Sequence, residues 1–131
     1  MLATIDWVRQ EPRSSLSVGL LGASTGAAAA LVAAAERADD VAAIVSRGGR
    51  TDLAGSGLRR VRAPTLLIVG GADPQVLELN RRALALLQTH KELVVVPGAT
   101  HLFEEPGALE EVARLAAEWF SRYLTDDERA R

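Results

Sequence analysis

Apolar residues fall in two kinds of run along the chain. Four are short and almost unbroken, over 17–22, 41–46, 65–69 and 93–96. Each is too short for a helix, and an apolar run of that length suits a strand buried on both faces. The other apolar residues recur at helical spacing. Ile5, Trp7 and Val8 mark the end of a helix over 4–10, closed by Pro12 and Ser14-Ser15. Alanine content predicts a helix over 25–37. Pro74 suits the first position of a helix over 74–88, with Leu77, Leu84 and Leu87 as its apolar face. Leu109, Val112, Leu115, Ala116, Trp119 and Tyr123 place a last helix over 108–124. Residues 47–62 are rich in Gly, Arg and Ser and read as a long loop with room for one helical turn. Residues 125–131 read as a polar, frayed tail.

All-apolar strands alternating with helices imply a parallel sheet covered on both faces. An antiparallel sheet with one wet face would alternate polar and apolar positions instead. The expected fold is one α/β domain over 1–131, a three-layer α/β/α arrangement with a mostly parallel sheet of about four strands. In such a sheet, sites form beyond the carboxyl ends of the strands.

Composition narrows the chemistry. The 131 residues carry 15 Lys+Arg against 17 Asp+Glu, a net charge of −2. That is the wrong sign for a surface that neutralises phosphate backbones, so nucleic acid is not an expected partner. There is no cysteine, which removes disulfides, thiolate zinc sites and cysteine nucleophiles. Aromatic residues make up only 4% of the chain, so aliphatic packing and close backbone approach must build the core.

Residues 14–35 lack a charge and contain Gly22-x-x-x-Gly26, the spacing of a membrane helix dimer. They are not read as a span. The run breaks at a Ser-Thr-Gly turn, and it has too little of the Leu, Ile, Phe and Val that insertion rewards. No basic stretch precedes a long apolar run at the N-terminus, so no signal peptide and no membrane partner are expected, and the expected compartment is the cytoplasm.

Three residues with useful chemistry follow three different strands. Gly22-Ala23-Ser24-Thr25-Gly26 is a Gly-x-Ser-x-Gly sequence between a predicted strand and a predicted helix, the context of a nucleophile elbow. Small flanking residues keep such a turn clear of neighbouring backbone. The helix N-terminus favours developing negative charge, and the Thr25 N–H can donate to an oxyanion. A plain glycine-rich turn would look the same. Asp73 follows the strongest strand, and by itself reads as an N-cap ahead of Pro74. His101 lies just past the last strand. His90 lies at the opposite end of that strand and reads as a surface residue. Taken together, Ser24, Asp73 and His101 supply what a serine hydroxyl needs to become a nucleophile: an imidazole to take its proton and a carboxylate to hold the imidazole's tautomer.

These residues resemble the C-terminal part of an α/β-hydrolase, most closely the dienelactone hydrolase-like group that uses serine in place of cysteine. Residues 4–8 resemble the helix ahead of the nucleophile strand, 22–26 the elbow, 64–73 the strand and turn carrying the acid, and 98–103 the histidine loop. The resemblance implies Ser24 as nucleophile, His101 as base and Asp73 as acid, in a small carboxylic-ester hydrolase that needs no cofactor. Related sequences occur as stand-alone hydrolases and as domains fused to phosphoribosyltransferases. A non-catalytic binding or assembly module, or a fragment of a larger fusion, is the alternative.

The family's sheet has further strands ahead of this point, and the loop that supplies a second oxyanion N–H. The resemblance therefore implies a truncated α/β-hydrolase fold. The second donor comes from elsewhere in the chain, from another subunit, or is absent, and losing one such donor costs roughly 10²–10³ in rate. The 17–21 strand would then lie open at its outer edge, which invites pairing with another chain, so a homodimer or higher oligomer is expected. A shallow pocket predicts short acyl chains and broad tolerance.

Arg47 and Arg50 lie on the site side of the sheet and could contact an acidic substrate, or be no more than a solvated loop. Arg59, Arg60 and Arg62 read as surface. No metal-ligand spacing and no phosphate-cradling loop is present.

Overall fold

The computed structural model describes residues 18–124. The helix expected over 4–10, Ser17 and the tail lie outside them. Four parallel strands form one sheet in the order β1 (Gly19–Ala23), β2 (Ala43–Arg47), β3 (Thr65–Gly70) and β4 (Lys91–Val96). Between and after them run α1 (Thr25–Glu36), a 3₁₀ segment (Thr51–Arg60), α2 (Pro74–Leu86) and α3 (Ala108–Tyr123).

The strand pleat sorts side chains into two cores. Ile44 and Leu67 face α1, the 3₁₀ segment and α2. Ala43, Val45, Leu66 and Ile68 face α3. These layers are the expected three. Each fully buried Leu or Ile side chain stabilises the fold by about 1.5–3 kcal/mol. Leu31, Ile44, Leu67 and Ile68 are all at 0% exposure. Ala27, Ala30, Ala33 and Ala34 are buried as well, and their small size brings α1 close to the sheet.

The structure corrects several details. The apolar runs predict buried strands; β3 is buried throughout and β2 up to Arg47, while β1 stands at the edge expected for it from the resemblance. Among the described residues β1 and β4 are the edges, and Leu21 in β1 is 60% exposed. The buried stripe of α2 and the turn after it is Val76, Asn80, Ala83 and Leu87. Leu77 and Leu84 only flank it, because the start at Pro74 sets the helical phase one residue away from them. In α3 the same phasing buries Ala108, Val112, Ala116 and Trp119 and leaves Leu109 48% exposed.

Residues 51–60, expected as loop, form 3₁₀ turns broken at Gly55 (φ 57, ψ −137). β4 starts at Lys91, two residues earlier than its apolar run. The Lys91 ammonium donates to the carbonyls of Leu84 and Leu87. It thereby satisfies acceptors that the end of α2 leaves open. No helix among the described residues is long and apolar enough to cross a membrane.

Candidate active site

Ser24 occupies the step from β1 into α1 with φ 51 and ψ −124. A non-glycine residue at positive φ is uncommon and must be held by its surroundings. The loop after β2 holds it. The Ser24 N–H donates to the Arg47 carbonyl (3.3 Å), and the Ser24 carbonyl accepts from the Arg50 N–H (2.9 Å). Of the two motif glycines, Gly22 is sterically required, since a Cβ there would stand 2.6 Å from the Ala27 Cα. A Cβ on Gly26 would meet nothing within 4 Å. The expectation that small residues keep the turn clear therefore holds on the strand side only.

Asp73 stands at the N-cap position of α2, yet its side chain makes no capping bond. Its carboxylate faces His101 instead, with Oδ2 2.9 Å from Nδ1. The other ring nitrogen, Nε2, lies 2.6 Å from Ser24 Oγ. An ionised carboxylate only accepts, so Nδ1 is the protonated nitrogen and Nε2 accepts from the serine hydroxyl. Residues 77 and 28 positions apart in sequence thus form one continuous hydrogen-bonded chain. Thr25 opens α1, where a backbone N–H has no acceptor four residues back and is free to donate.

The histidine loop is fixed from both sides. Ala72 N–H donates to the Ala99 carbonyl (3.0 Å), which ties the acid turn to the loop. The two carboxylate oxygens of Glu105 accept from the Thr100 N–H (3.0 Å) and hydroxyl (2.7 Å). The Thr100 N–H, with the Thr100 hydroxyl next, holds the Glu105 carboxyl below its ordinary pKa. Phe103 is fully buried with φ 56.

The two candidate arginines separate. The Arg50 guanidinium is engaged by both oxygens of Asp52 at 3.0 Å. That pairing, a side-chain hydrogen bond first and charge second, raises the pKa of Arg50 and lowers that of Asp52. Arg47 lies 5.7 Å above the Phe103 ring and lines a hollow of ≈390 Å³ with Leu21, Ala23, Leu109 and Val112.

Glu105, Phe103 and Asn80 were not singled out from the sequence. Asn80 had a readable signal, a polar residue in phase with Val76, Ala83 and Leu87. Glu105 and Phe103 had none, because their roles depend on loop geometry.

A parallel sheet whose carboxyl edge gathers a serine at a strand-to-helix turn, an aspartate and a histidine defines the class: this stretch of chain has the α/β-hydrolase fold. Within that class it is similar to the dienelactone hydrolases. It is 59% identical to a dienelactone hydrolase from Anabaena variabilis, whose crystal structure matches with a TM-score of 0.92 over 95% of this chain and 58% of that one. A monoacylglycerol lipase from Paleococcus ferrophilus shares the fold at a TM-score of 0.74 and 19% identity, over 90% of this chain and 72% of that one. The family model for the X-Pro dipeptidyl-peptidases (S15 family) matches residues 1–59, which include Ser24 and not Asp73 or His101. Proteins from two Mycobacterium tuberculosis strains, provisionally named phosphoribosyl transferases, are each 62% identical over 119 residues. The match covers 90% of this chain and 27% of each of theirs.

Proposed function

We propose that this chain is a serine hydrolase of small carboxylic esters. The observation that carries the reading is the unbroken chain of hydrogen bonds from Ser24 Oγ through His101 to Asp73. In this scheme Ser24 Oγ attacks the acyl carbon as His101 Nε2 takes the hydroxyl proton. Asp73 holds the Nδ1–H tautomer and stabilises the imidazolium. The carbonyl oxygen becomes an oxyanion facing the Thr25 N–H. Collapse expels the alcohol with the proton from Nε2 and leaves an acyl-enzyme. Water, deprotonated by the same nitrogen, then releases the acid.

Arg47 rather than Arg50 is the residue to meet an acidic group on the substrate, since the Arg50 guanidinium is already paired. Short acyl groups and broad tolerance fit the half-exposed position of His101. We also propose that a second copy of the chain covers the outer edge of β1, where Leu21 is exposed. A single monomeric species by light scattering at micromolar concentration speaks against that arrangement.

Hydrolysis of p-nitrophenyl acetate by wild type beside Ser24→Ala tests the reading. The expected loss is large, on the order of 10⁶ where nucleophile and base act as a unit. Equal rates in both proteins, or none in wild type, sink it. Cleavage of an Xaa-Pro anilide in place of the ester moves the substrate to peptides, as the peptidase-family match would have it.

A second reading has one observation in its favour. The Mycobacterium tuberculosis relatives are far longer than this chain and are provisionally named as transferases. A hydrolase-like module serving binding or assembly within such a protein would show no difference between wild type and Ser24→Ala.

A further inference from the structure

Asn80 is the one polar residue in the buried stripe of α2, and it is at 0% exposure. Its amide nitrogen donates to the Gly49 carbonyl (2.9 Å) and to the Val76 carbonyl (2.8 Å) one turn back. Gly49 lies in the segment between β2 and the 3₁₀ turns that holds the serine. Its neighbour Arg50 donates its N–H to the Ser24 carbonyl, and Arg47 accepts the Ser24 N–H. Gly48, next in line, donates to the Ile68 carbonyl, and a Cβ there would stand 3.4 Å from His101 Nδ1.

The segment is tightly seated. A Cβ on Gly49 would collide with Ser46 Oγ and the Ala27 methyl, and would stand 3.4 Å from Thr51 Cγ2. Ser46 and Thr51 are themselves at 0% exposure. Buried polar side chains are unfavourable unless they make bonds that matter to the fold or the site. Of the three around Gly49, directly behind the serine turn, Asn80 alone bonds the segment, while Ser46 Oγ and Thr51 Oγ1 make no hydrogen bond.

From this arrangement we infer that Asn80 is a positioning residue for Ser24. It acts through Gly49, pinning the 47–51 segment that in turn keeps Ser24 at its strained φ and keeps Oγ within reach of His101. The role rests on the serine-hydrolase reading. A positioning group misplaced by an ångström costs about 10² in rate without touching the reacting atoms.

Asn80→Asp keeps the shape and removes the donor, and Asn80→Ala removes both. Each is expected to lower kcat for p-nitrophenyl acetate at least tenfold with KM within twofold. Hydrogen exchange at the Arg50 amide should accelerate while Leu67 and Ile68 in β3 keep their protection. A folded variant with wild-type kcat overturns the inference, as does one in which β3 loses protection in step with Arg50. Wild type alone supplies a test that needs no variant to fold. Its Arg50 amide should exchange as slowly as the sheet, and exchange at the rate of an exposed loop overturns the pinning. A wild type without esterase activity defeats the hydrolase reading instead, while the exchange measurements still decide whether Asn80 pins the segment.

Discussion

The two histidines lie at opposite ends of β4 and have unrelated surroundings. His101, past the carboxyl end, has both ring nitrogens engaged, by Asp73 and Ser24. His90, before the amino end, stacks on Trp119 with ring centroids 5.7 Å apart and planes 15° from parallel. Trp119 and Tyr123 pack at 4.8 Å beside it, and the Trp119 indole N–H donates to the Pro64 carbonyl at the start of β3. The amino end is thus tied together by ring packing and by hydrogen bonds to backbone carbonyls, the carboxyl end by polar side chains in a line. Strand direction does the sorting. In a parallel sheet every strand delivers its following loop to the same edge, so residues far apart in sequence meet there. The opposite edge receives the loops that enter the strands, and at His90 these do the work of closing the α3 core.

The sharpest way to break this contrast is Asp73→Asn. The side-chain amide can donate where the carboxylate only accepted, so the ring turns to the tautomer with its proton on Nε2. Ser24 then faces a donor and cannot give up its hydroxyl proton. Activity toward p-nitrophenyl acetate should fall by about 10⁴, the effect known for this change in a serine protease triad. The melting temperature should barely move, because the Asp73 side chain caps nothing. A loss of only a few fold would show that His101 keeps its tautomer without Asp73, and would reduce the aspartate to a spectator.

Glu105 tests how much of the site lies in its supports. Its carboxylate grips Thr100, the residue before His101, in the ionised form. The sign follows from the lowered pKa. The grip is complete above the ordinary carboxyl value of about 4.3, and is lost as pH falls through the lower folded value. Protection of the Thr100 amide, followed by hydrogen exchange, should therefore persist through the ordinary range and collapse only below it. Glu105→Gln keeps one acceptor of the two and has no such transition. Its kcat should drop roughly tenfold, short of the ~10² that an ångström of misplacement costs. A Thr100 amide that exchanges identically in both proteins at neutral pH would remove Glu105 from the site.

How much of this was legible in the sequence depended on the range of the interaction. The strands, the helices and the three separated residues of the hydrogen-bonded chain followed from apolar periodicity, from the Gly-x-Ser-x-Gly sequence and from the rule for parallel sheets. Residues whose roles come from two segments meeting were out of reach. Nothing local distinguishes Glu105 from Glu104, and only the loop's path brings it to Thr100. Arg47 and Arg50 looked alike until the structure paired one with Asp52 and set the other over Phe103. Apolar spacing marks Leu109 for the core, because spacing alone cannot tell a buried helical phase from an exposed one. Gly26, equally prominent in the motif, has open space where Gly22 has the backbone of α1.

The smallest expected effect is at the amino end. His90→Ala removes a ring from an exposed position, and its contacts with Trp119 and Tyr123 are those of an aromatic pair, worth about 0.5–1.5 kcal/mol. Exposure puts the expected loss near the lower bound, about 0.5 kcal/mol, or roughly 1–3 °C in melting temperature for a domain of this size. Ester hydrolysis should be unchanged within twofold, because His90 is separated from the serine turn by the length of the sheet. His101→Ala should show the reverse, with activity abolished and stability little altered. If His90→Ala lowered kcat while the protein stayed folded, the two ends of β4 would be coupled, and the division between a packed edge and a reactive edge would fail.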